Sequence, residues 1–331
     1  MRARALWFES PGVAALREEA LAEPGPGEVR VRAICSGISA GTERLVLRGE
    51  VPAEAHALMA LPAMRGSFAF PLCYGYATVG TVDALGAGVD PARLGERVFL
   101  LHPHQDVLVA EVSALRPLPA AAPPARLVLA PNLETAVNAV WDAGVTLGDR
   151  VLVSGLGVVG LLIAWLCRRA GASAVIGVDP SAERRDLALL LGATSAIDAP
   201  APDEIAHADH LLEASGAKAA LGALVEHAGP EARITVVSWY GRGEVPLPLG
   251  GRFHPHRLTI RSSQVASIDP ARRGRWDHPR RWALVNALLG EPALDALVAA
   301  PVPLSLAPAL YERLARGERF HPPQQVLDAT R

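Results

Sequence analysis

The sequence predicts an α/β protein in which a parallel β-sheet, covered by helices on both faces, follows a β-rich domain. In the middle of the chain, short apolar strands at residues 151–154 and 174–179 alternate with helical segments. This alternation is typical of a doubly wound parallel sheet. In the first hundred residues, short strand-like runs are bounded by glycine instead, at 29–34, 76–82 and 97–101. Such spacing is typical of an antiparallel, β-rich domain.

The length of the chain suits two domains. At 331 residues it exceeds what one hydrophobic core usually supports. A stretch rich in proline and alanine, residues 117–124, separates the β-rich part from the alternating part. We therefore expect a β-rich domain at 1–130 and an α/β domain at 131–267.

Charge and composition argue against several classes of protein. The chain has 32 Lys and Arg against 34 Asp and Glu, so nothing attracts it strongly to nucleic acid or an anionic membrane. Its longest apolar run, 158–167, is shorter than the roughly 20 residues of a membrane span. Cys35, Cys73 and Cys167 are too widely spaced for a disulfide framework or a four-cysteine zinc lobe. We expect a cytoplasmic protein with no nucleic-acid or membrane partner.

A glycine pattern marks a candidate nucleotide site. Gly155, Gly157 and Gly160 fit G-x-G-x-x-G between a strand and a helix, and Asp179 ends the next strand. In this pattern the first glycine permits a tight turn, the second lets a pyrophosphate approach, and the third allows close helix packing. The pattern predicts a Rossmann fold, the alternative being a tight turn without a ligand. The expected loop contacts of the cofactor are Ser154, Gly155, Gly157, Val158, Val159 and Gly160.

Asp179 indicates which nicotinamide cofactor is preferred. A carboxylate at this position accepts hydrogen bonds from the adenosine ribose and repels a 2′-phosphate, which favours NAD(H) over NADP(H). Arg184 and Arg185 follow closely and weaken that preference. Arg184 is a candidate cofactor contact, although both arginines also fit a solvated helix face.

Three segments together resemble a known family. Residues 148–151 lead directly into the glycine pattern, residues 37–43 read G-I-S-A-G-T-E, and residues 75–80 read G-Y-A-T-V-G. The chain thereby resembles the medium-chain dehydrogenase/reductase superfamily, the group of zinc alcohol dehydrogenases and quinone reductases. The resemblance implies a GroES-like catalytic domain of residues 1–130, completed by 268–331, and a Rossmann NAD(P)-binding domain. It also implies a homodimer.

The chain departs from this family at the residues that bind zinc. Ser39 stands where the family has its first cysteine ligand, Tyr76 replaces the histidine ligand, and Ala77 replaces the adjacent glutamate. The region of the third ligand, 131–134, has no cysteine. A catalytic zinc needs three strong protein ligands, so we expect a zinc-lacking branch with no metal. Residues 36–45 resemble bacteriochlorophyllide dehydrogenase-like members, which oxidise a secondary alcohol.

Without zinc, another group must interact with the substrate oxygen. Thr42 matches the hydroxyl relay residue of the family. Tyr76, at a ligand position, could hydrogen-bond the substrate oxygen with its phenol, or could only fill the space that zinc leaves. His102 and His104, in the segment 102–106, could form a proton relay or orient a substrate, or could belong to a polar surface loop.

Further candidates lie in and around the predicted Rossmann domain. Glu134, at the start of the helix that enters the domain, is a catalytic candidate or only a favourable first-turn charge. Ser238 and Trp239 end a strand near which the nicotinamide lies in the family, although Trp239 also fits a packing role. Ser263 and Gln264 follow a later strand. We expect these last four residues to contact the cofactor.

A dense basic and aromatic patch occupies residues 272–282. Its arginines could bind an anionic group of a small-molecule substrate, such as a carboxylate or phosphate. The alternative is a solvated helix start.

Together these features predict a zinc-independent, NAD(H)-dependent oxidoreductase that interconverts an alcohol and a carbonyl by hydride transfer. One alternative is an NADPH-dependent quinone or enoyl reductase, against which Asp179 counts. A second alternative is a nucleotide-binding relative without catalysis, which a measurement of turnover would distinguish from either enzyme.

Overall fold

The structure is a computed structural model and describes residues 1–61 and 63–331. The chain divides into two compact units. The first comprises Met1–Pro131 and Asn286–Arg331, and the second comprises Asn132–Val285. The sequence predicted domain boundaries at 130/131 and 267/268, whereas the units divide at 131/132 and 285/286.

Helices and strands are numbered along the chain. The N-terminal part contains β1 (Arg2–Ser10), β2 (Val13–Ala20), β3 (Glu28–Ile38), α1 (Ala40–Leu47), α2 (His56–Met59), β4 (Arg65–Gly66), β5 (Leu72–Cys73), β6 (Thr78–Leu85), β7 (Arg97–Leu100), β8 (Val107–Glu111), β9 (Arg116–Pro117) and α3 (Pro124–Leu127). The middle part contains α4 (Ala130–Ala143), β10 (Arg150–Ser154), α5 (Val158–Arg169), β11 (Ala174–Val178), α6 (Ala182–Leu190), β12 (Ser195–Ile197), α7 (Pro202–Ala206), β13 (His210–Glu213), α8 (Lys218–His227), β14 (Arg233–Val236), β15 (Thr259–Ser262) and α9 (His278–Leu289). The C-terminal part contains β16 (Val302–Pro303), α10 (Ala307–Ala315) and β17 (Gln325–Asp328).

The second unit is built on a parallel sheet in the order β12-β11-β10-β13-β14-β15. All neighbouring strands of this sheet run parallel. Numbered within the unit, the order is 3-2-1-4-5-6, which is the doubly wound Rossmann order. Val151, Leu152 and Val153 are fully buried, as expected for a strand that has helices on both faces. The predicted Rossmann sheet is confirmed.

The first unit is β-rich and contains two sheets. One has the order β2-β1-β5-β4, and the other has the order β16-β17-β3-β6-β7-β9, with β8 paired to β3. Strand β17 pairs antiparallel with the end of β3, so the C-terminal segment completes this sheet. Leu6, Phe8, Ile38 and Tyr311 lie in the core beside the first sheet. The predicted combination of a Rossmann domain and a GroES-like, β-rich domain is confirmed.

Within residues 1–61 and 63–331, no helix is both long enough and apolar enough to cross a membrane.

Candidate active site

Two of the three glycines in the G-x-G-x-x-G fingerprint, residues 155–160, are required by the backbone conformation and packing of the chain. Gly155 has φ +93°, and an added Cβ would lie 2.4 Å from the Cα of Ser215. A Cβ on Gly160 would lie 1.8 Å from the carbonyl oxygen of Gly155. The first glycine therefore permits the turn and the third lets α5 start close to β10, as the pattern predicts.

Gly157 differs from these two glycines. Its φ of −69° suits any residue, and the nearest non-neighbouring atom to an added Cβ is Nη1 of Arg184, at 4.0 Å. The open side of Gly157 lies at the start of α5, where the first backbone N–H groups have no partner within the helix. Val158 and Val159 are partly exposed there, while the rest of the helix up to Cys167 is buried. The loop therefore fits a pyrophosphate, which needs this space and these donors.

Asp179 braces the fingerprint loop. Its Oδ2 accepts a hydrogen bond from the Leu156 backbone N–H at 3.0 Å, and its Oδ1 accepts one from the Ser181 N–H at 2.9 Å. Nη1 of Arg184 lies 3.9 Å from Oδ2, and the Asp179 side chain is fully buried. A carboxylate has about four acceptor positions, so further bonds are chemically open. Its contact with a ribose remains a prediction.

The other predicted cofactor residues lie at the carboxyl edge of the parallel sheet. Ser154 ends β10, Ser238 and Trp239 follow β14, and Ser263 and Gln264 follow β15. The hydroxyl of Ser238 accepts a backbone N–H bond at 2.8 Å, and Trp239 is exposed. Ligands of open α/β sheets bind at this edge. The cofactor roles of these residues are consistent with their positions and stay predictions.

Sequence reasoning missed a buried acid at the same edge. Glu213 ends β13 and accepts hydrogen bonds from the Ser215 backbone N–H at 2.8 Å and from the Tyr240 hydroxyl at 2.7 Å. Burial and this bond to a carboxylate raise the pKa of Tyr240. Glu213 thereby ties the loop after β13 to the loop after β14.

Glu134 lies in a buried ion pair of the second unit. Arg281 is 2% exposed, and its Nε and Nη2 donate to Oε1 of Glu134 at 3.1 and 3.0 Å. Its Nη1 donates to Oδ1 of Asn138 at 2.7 Å. This geometry joins α4 to α9. The catalytic role of Glu134 stays a prediction, and the Arg281 guanidinium is already engaged by protein acceptors.

Arginines of the basic patch stack on two tryptophans, Trp276 within the patch and Trp141 on α4. The rings of Trp141 and Trp276 lie 4.7 Å apart. The guanidinium of Arg272 lies 5.1 Å from the Trp141 ring, and that of Arg280 lies 4.2 Å from the Trp276 ring. Such cation–π contacts account for part of the patch without a ligand. Anion binding by this patch stays a prediction.

A cluster of hydroxyl groups forms in the first unit. The Tyr76 hydroxyl lies within hydrogen-bonding reach of the Ser39 and Thr42 side chains. Burial and the nearby Glu43 carboxylate raise the pKa of Tyr76 to about 12, against the lowering effect of those two hydrogen bonds. The phenol is therefore protonated at neutral pH and can donate a hydrogen bond. The structure brings the predicted residues Thr42 and Tyr76 together.

The fully buried Glu43 carboxylate lies next to this cluster. Its Oε1 accepts the backbone N–H of Ser39 at 2.8 Å. Its Oε2 lies 2.9 Å from Nε2 of His104 and accepts a hydrogen bond from the Tyr311 hydroxyl. The Tyr311 hydroxyl also lies 2.8 Å from Nε2 of His104. Burial and the Glu43 carboxylate raise the pKa of Tyr311 well above its usual value.

The two predicted histidines have different surroundings. His104 is fully buried, and its Nδ1 lies 2.7 Å from Oγ of Ser36. Its ring packs against Gly75, where an added Cβ would lie 2.7 Å from the ring. His102 instead bonds the Pro103 carbonyl through Nδ1 at 2.9 Å. Burial lowers the pKa of His102 to about 4, so this ring is neutral at physiological pH.

The donor groups of the described residues do not suit zinc. Hydroxyl oxygens occupy positions 39 and 76, and within residues 1–61 and 63–331 no group of three or more His, Cys, Asp or Glu side chains could hold a metal ion. Cys35, Cys73 and Cys167 are buried, and burial raises the pKa of each thiol to about 12. A thiol with this pKa is a poor source of the thiolate that zinc binds.

Comparison with known proteins finds similarity to dehydrogenases. A family model described as zinc-binding dehydrogenase matches residues 158–278. The chain is 27% identical to sorbitol dehydrogenase of Gallus gallus over 92% of this chain and 90% of that protein. It is 30% identical to D-guloside 3-dehydrogenase of Escherichia coli K12 over 62% of each. The chain is similar over most of its length to a named dehydrogenase, which supports an enzyme of this class.

Solved structures of dehydrogenases have the same fold. An alcohol dehydrogenase of Escherichia coli CFT073, solved in complex with NADH, superposes with a TM-score of 0.79. It covers 99% of both chains at 21% sequence identity. At this identity, the likeness shows the architecture of this dehydrogenase.

Three residues of the Glu43 network were missed by the sequence analysis as site residues. Ser36 and Tyr311 carry no local signal, because one lies inside a strand and the other in a C-terminal helix. For Glu43, its position in the sequence could have indicated a bond to the start of the helix. It follows the N-cap residue Ser39 by four positions, one beyond the position at which a capping-box glutamate bonds back to the N-cap N–H.

The two kinds of fingerprint glycine lead to a testable difference. Gly160→Ala should lower the free energy of unfolding by about 1–3 kcal/mol, because its Cβ meets a backbone carbonyl. Gly157→Ala should leave stability within about 0.5 kcal/mol yet weaken NADH binding at least about tenfold, ~1.4 kcal/mol. Urea unfolding and fluorescence titration with NADH measure the two effects. Undiminished NADH affinity in Gly157→Ala would contradict the pyrophosphate assignment.

Proposed function

We propose that this dehydrogenase interconverts a secondary alcohol and a carbonyl by hydride transfer with NAD(H), without zinc. The observation that carries the proposal is the hydroxyl cluster of Tyr76, Ser39 and Thr42. Two of its members stand where the family has a thiolate and an imidazole ligand. A protonated phenol held by two hydroxyls is suited to the oxygen of an alcohol or carbonyl.

The relatives support the substrate class. Sorbitol dehydrogenase and D-guloside 3-dehydrogenase act, by their names, on polyhydroxylated carbon chains or rings. A third relative of Pseudomonas putida, 26% identical, is a 5-exo-hydroxycamphor dehydrogenase. The substrates that these names indicate each carry a hydroxyl group on a carbon skeleton. We infer that the substrate of this chain is an uncharged secondary alcohol.

The residues of the chain contribute orientation and hydrogen bonding. When bound, the nicotinamide cofactor supplies the centre that accepts or donates hydride. In carbonyl reduction, the Tyr76 hydroxyl donates a hydrogen bond to the substrate oxygen, which stabilises the negative charge that develops there. The proton that completes the alcohol is taken from water, and alcohol oxidation returns it to water. Ser39 and Thr42 fix the direction of the phenol, because both are bonded to it.

Coordination chemistry supports the absence of zinc from this reaction. Serine and tyrosine hydroxyls hold their protons much more tightly than a cysteine thiol or an imidazolium does. Because a metal ligand must be deprotonated, two hydroxyls leave a weak site where the family has two strong ligands. Tyr76 illustrates this, since its pKa is raised to about 12.

Cofactor preference is set by two opposite charges at the end of β11. The Asp179 carboxylate disfavours a 2′-phosphate, whereas the Arg184 guanidinium, 3.9 Å away, attracts one. Asp179 also braces the fingerprint loop, so replacing it should weaken both cofactors. The ratio of the two affinities therefore reports the preference better than either affinity alone.

We predict that NADH binds more tightly than NADPH and that the ratio of affinities falls toward one in Asp179→Ser. The ratio should rise in Arg184→Gln, because the charge that attracts a 2′-phosphate is lost. Fluorescence titration of the three proteins with both cofactors measures the ratios. A clear NADPH preference in the unmodified protein would overturn the cofactor assignment.

A substrate panel tests the reaction itself. Sorbitol, a hexopyranoside and 5-exo-hydroxycamphor are incubated with NAD⁺, and transfer of deuterium from the deuterated carbinol carbon to the cofactor is followed by mass spectrometry. Labelled NADH supports hydride transfer. If no member of the panel or the corresponding ketones reacts with either cofactor, the proposed function is wrong.

Tyr76→Phe should lower kcat about 10²-fold while cofactor affinity changes less than about twofold, because the lost hydroxyl acts on the substrate oxygen in the transition state. Tyr74→Phe is the matched control. Its ring lies 6.2 Å from that of Tyr76, and its hydroxyl bonds the Met59 carbonyl instead. Steady-state kinetics with a reactive member of the panel measure both variants. Unchanged turnover in Tyr76→Phe would exclude the phenol as the donor.

A further inference from the structure

Glu43 is an acid that the proposed reaction does not yet use. Its side chain has no exposed surface, and burying a carboxylate costs several kcal/mol unless hydrogen bonds and charge compensate it. The carboxylate is bonded by the Ser39 N–H, the Tyr311 hydroxyl and the His104 ring. An apolar side chain of similar size would fill the same space at lower cost. The location of this acid therefore calls for a reason other than packing.

The bond from Ser39 to Glu43 connects the acid with the hydroxyl cluster. Ser39 is the N-cap residue of α1, and its backbone N–H donates to Oε1 of Glu43. The Glu43 N–H donates in return to the Ser39 carbonyl at 2.9 Å. These two bonds fix the first turn of the helix. Thr42 lies on that turn, so the two side chains that hold the Tyr76 hydroxyl are both set by Glu43.

Groups from separate parts of the chain hold the carboxylate in turn. His104 follows β7, and Tyr311 lies on α10, so a loop and a C-terminal helix meet at Oε2 of Glu43. Ser36 on β3 fixes the far nitrogen of the His104 ring. Its hydroxyl can accept from or donate to that nitrogen, so the ring stays in place whether neutral or charged.

We propose that Glu43 is a positioning residue for the reaction, which clamps the first turn of α1 and so aims the Tyr76 hydroxyl through Ser39 and Thr42. His104 and Tyr311 hold the Glu43 carboxylate in the required orientation. The inference rests on the proposed function in that Tyr76 is taken as the hydrogen-bond donor to the substrate oxygen. The negative charge of Glu43 has a second effect on Tyr76, because it disfavours the tyrosinate and keeps the phenol able to donate.

A first experiment measures the coupling between Glu43 and Tyr76 without turnover. The protein is labelled with [¹³Cζ]tyrosine, and each of the four tyrosine signals is assigned from its Phe variant. Glu43→Gln keeps the size of the side chain and an acceptor for the Ser39 N–H. It should shift the Tyr76 signal by much more than the signals of Tyr74 and Tyr240. Asp83→Asn, which alters a carboxylate bonded to Arg30 and Arg32, should leave the Tyr76 signal unchanged.

A second experiment is a double-mutant cycle in kcat. With a reactive secondary alcohol, Glu43→Gln should lower kcat by at least about tenfold and change cofactor affinity less than about twofold. If Glu43 acts through Tyr76, the double variant Glu43→Gln/Tyr76→Phe is no slower than Tyr76→Phe alone. A purely structural role would make the two losses multiply. Asp83→Asn should retain wild-type turnover.

The outcomes separate this inference from the proposed function. An unshifted Tyr76 signal in folded Glu43→Gln, or multiplied losses in the cycle, would overturn the positioning role while wild-type turnover stands. Wild-type protein that transfers no hydride would overturn the proposed function, and the tyrosine signals would still decide the coupling. If Glu43→Gln does not fold, Tyr311→Phe removes one bond to the carboxylate, keeps the ring, and should shift the Tyr76 signal in the same direction.

Discussion

A carboxylate with no access to water needs a hydrogen-bond donor at each oxygen. In the first unit, Glu43 is such a buried carboxylate, and both of its oxygens have partners. The Ser39 N–H satisfies one oxygen, and His104 and Tyr311 satisfy the other. Because these partners come from the start of α1, the loop after β7 and α10, one acid determines how three distant segments of the unit meet. In the proposed account, this arrangement also determines the positions of Ser39 and Thr42, the two members of the hydroxyl cluster at the start of α1.

The second unit depends on a different constraint, the approach of a helix to a strand at the glycine-rich turn. Gly155 and Gly160 are explained by the backbone itself, since any side chain would collide with it. Gly157 is not required by the backbone, because the protein leaves room for a Cβ there. That difference is what a loop that binds a pyrophosphate would show, and Asp179 braces the loop by accepting the Leu156 N–H.

Features whose residues lie close together in the sequence could be predicted, and features whose residues are far apart in the sequence could not. The fingerprint was predictable because the glycines, the strand and the acid at position 179 lie within a short span and follow a fixed pattern. Thr42 and Tyr76 were each identified by resemblance, since both stand at family positions, but their contact with each other was not predicted. The Glu43 network was out of reach, because residues 36, 43, 104 and 311 show no common period.

Local patterns also could not separate residues of the same type. His102 and His104 are two positions apart, yet the first bonds a neighbouring carbonyl and the second joins a buried acid. Alternation along an extended chain places both side chains on the same side, so the pattern does not distinguish the two rings. Arg281 likewise could not be told from the other arginines of the patch, although its guanidinium pairs with Glu134 in the interior.

The central claim is that hydroxyl groups replace a metal in this dehydrogenase. The most direct test is elemental analysis of protein purified without an affinity tag, combined with turnover before and after treatment with a chelator. The account predicts far less than one zinc per chain and a turnover that the chelator leaves unchanged. Stoichiometric zinc that is lost together with activity would contradict it.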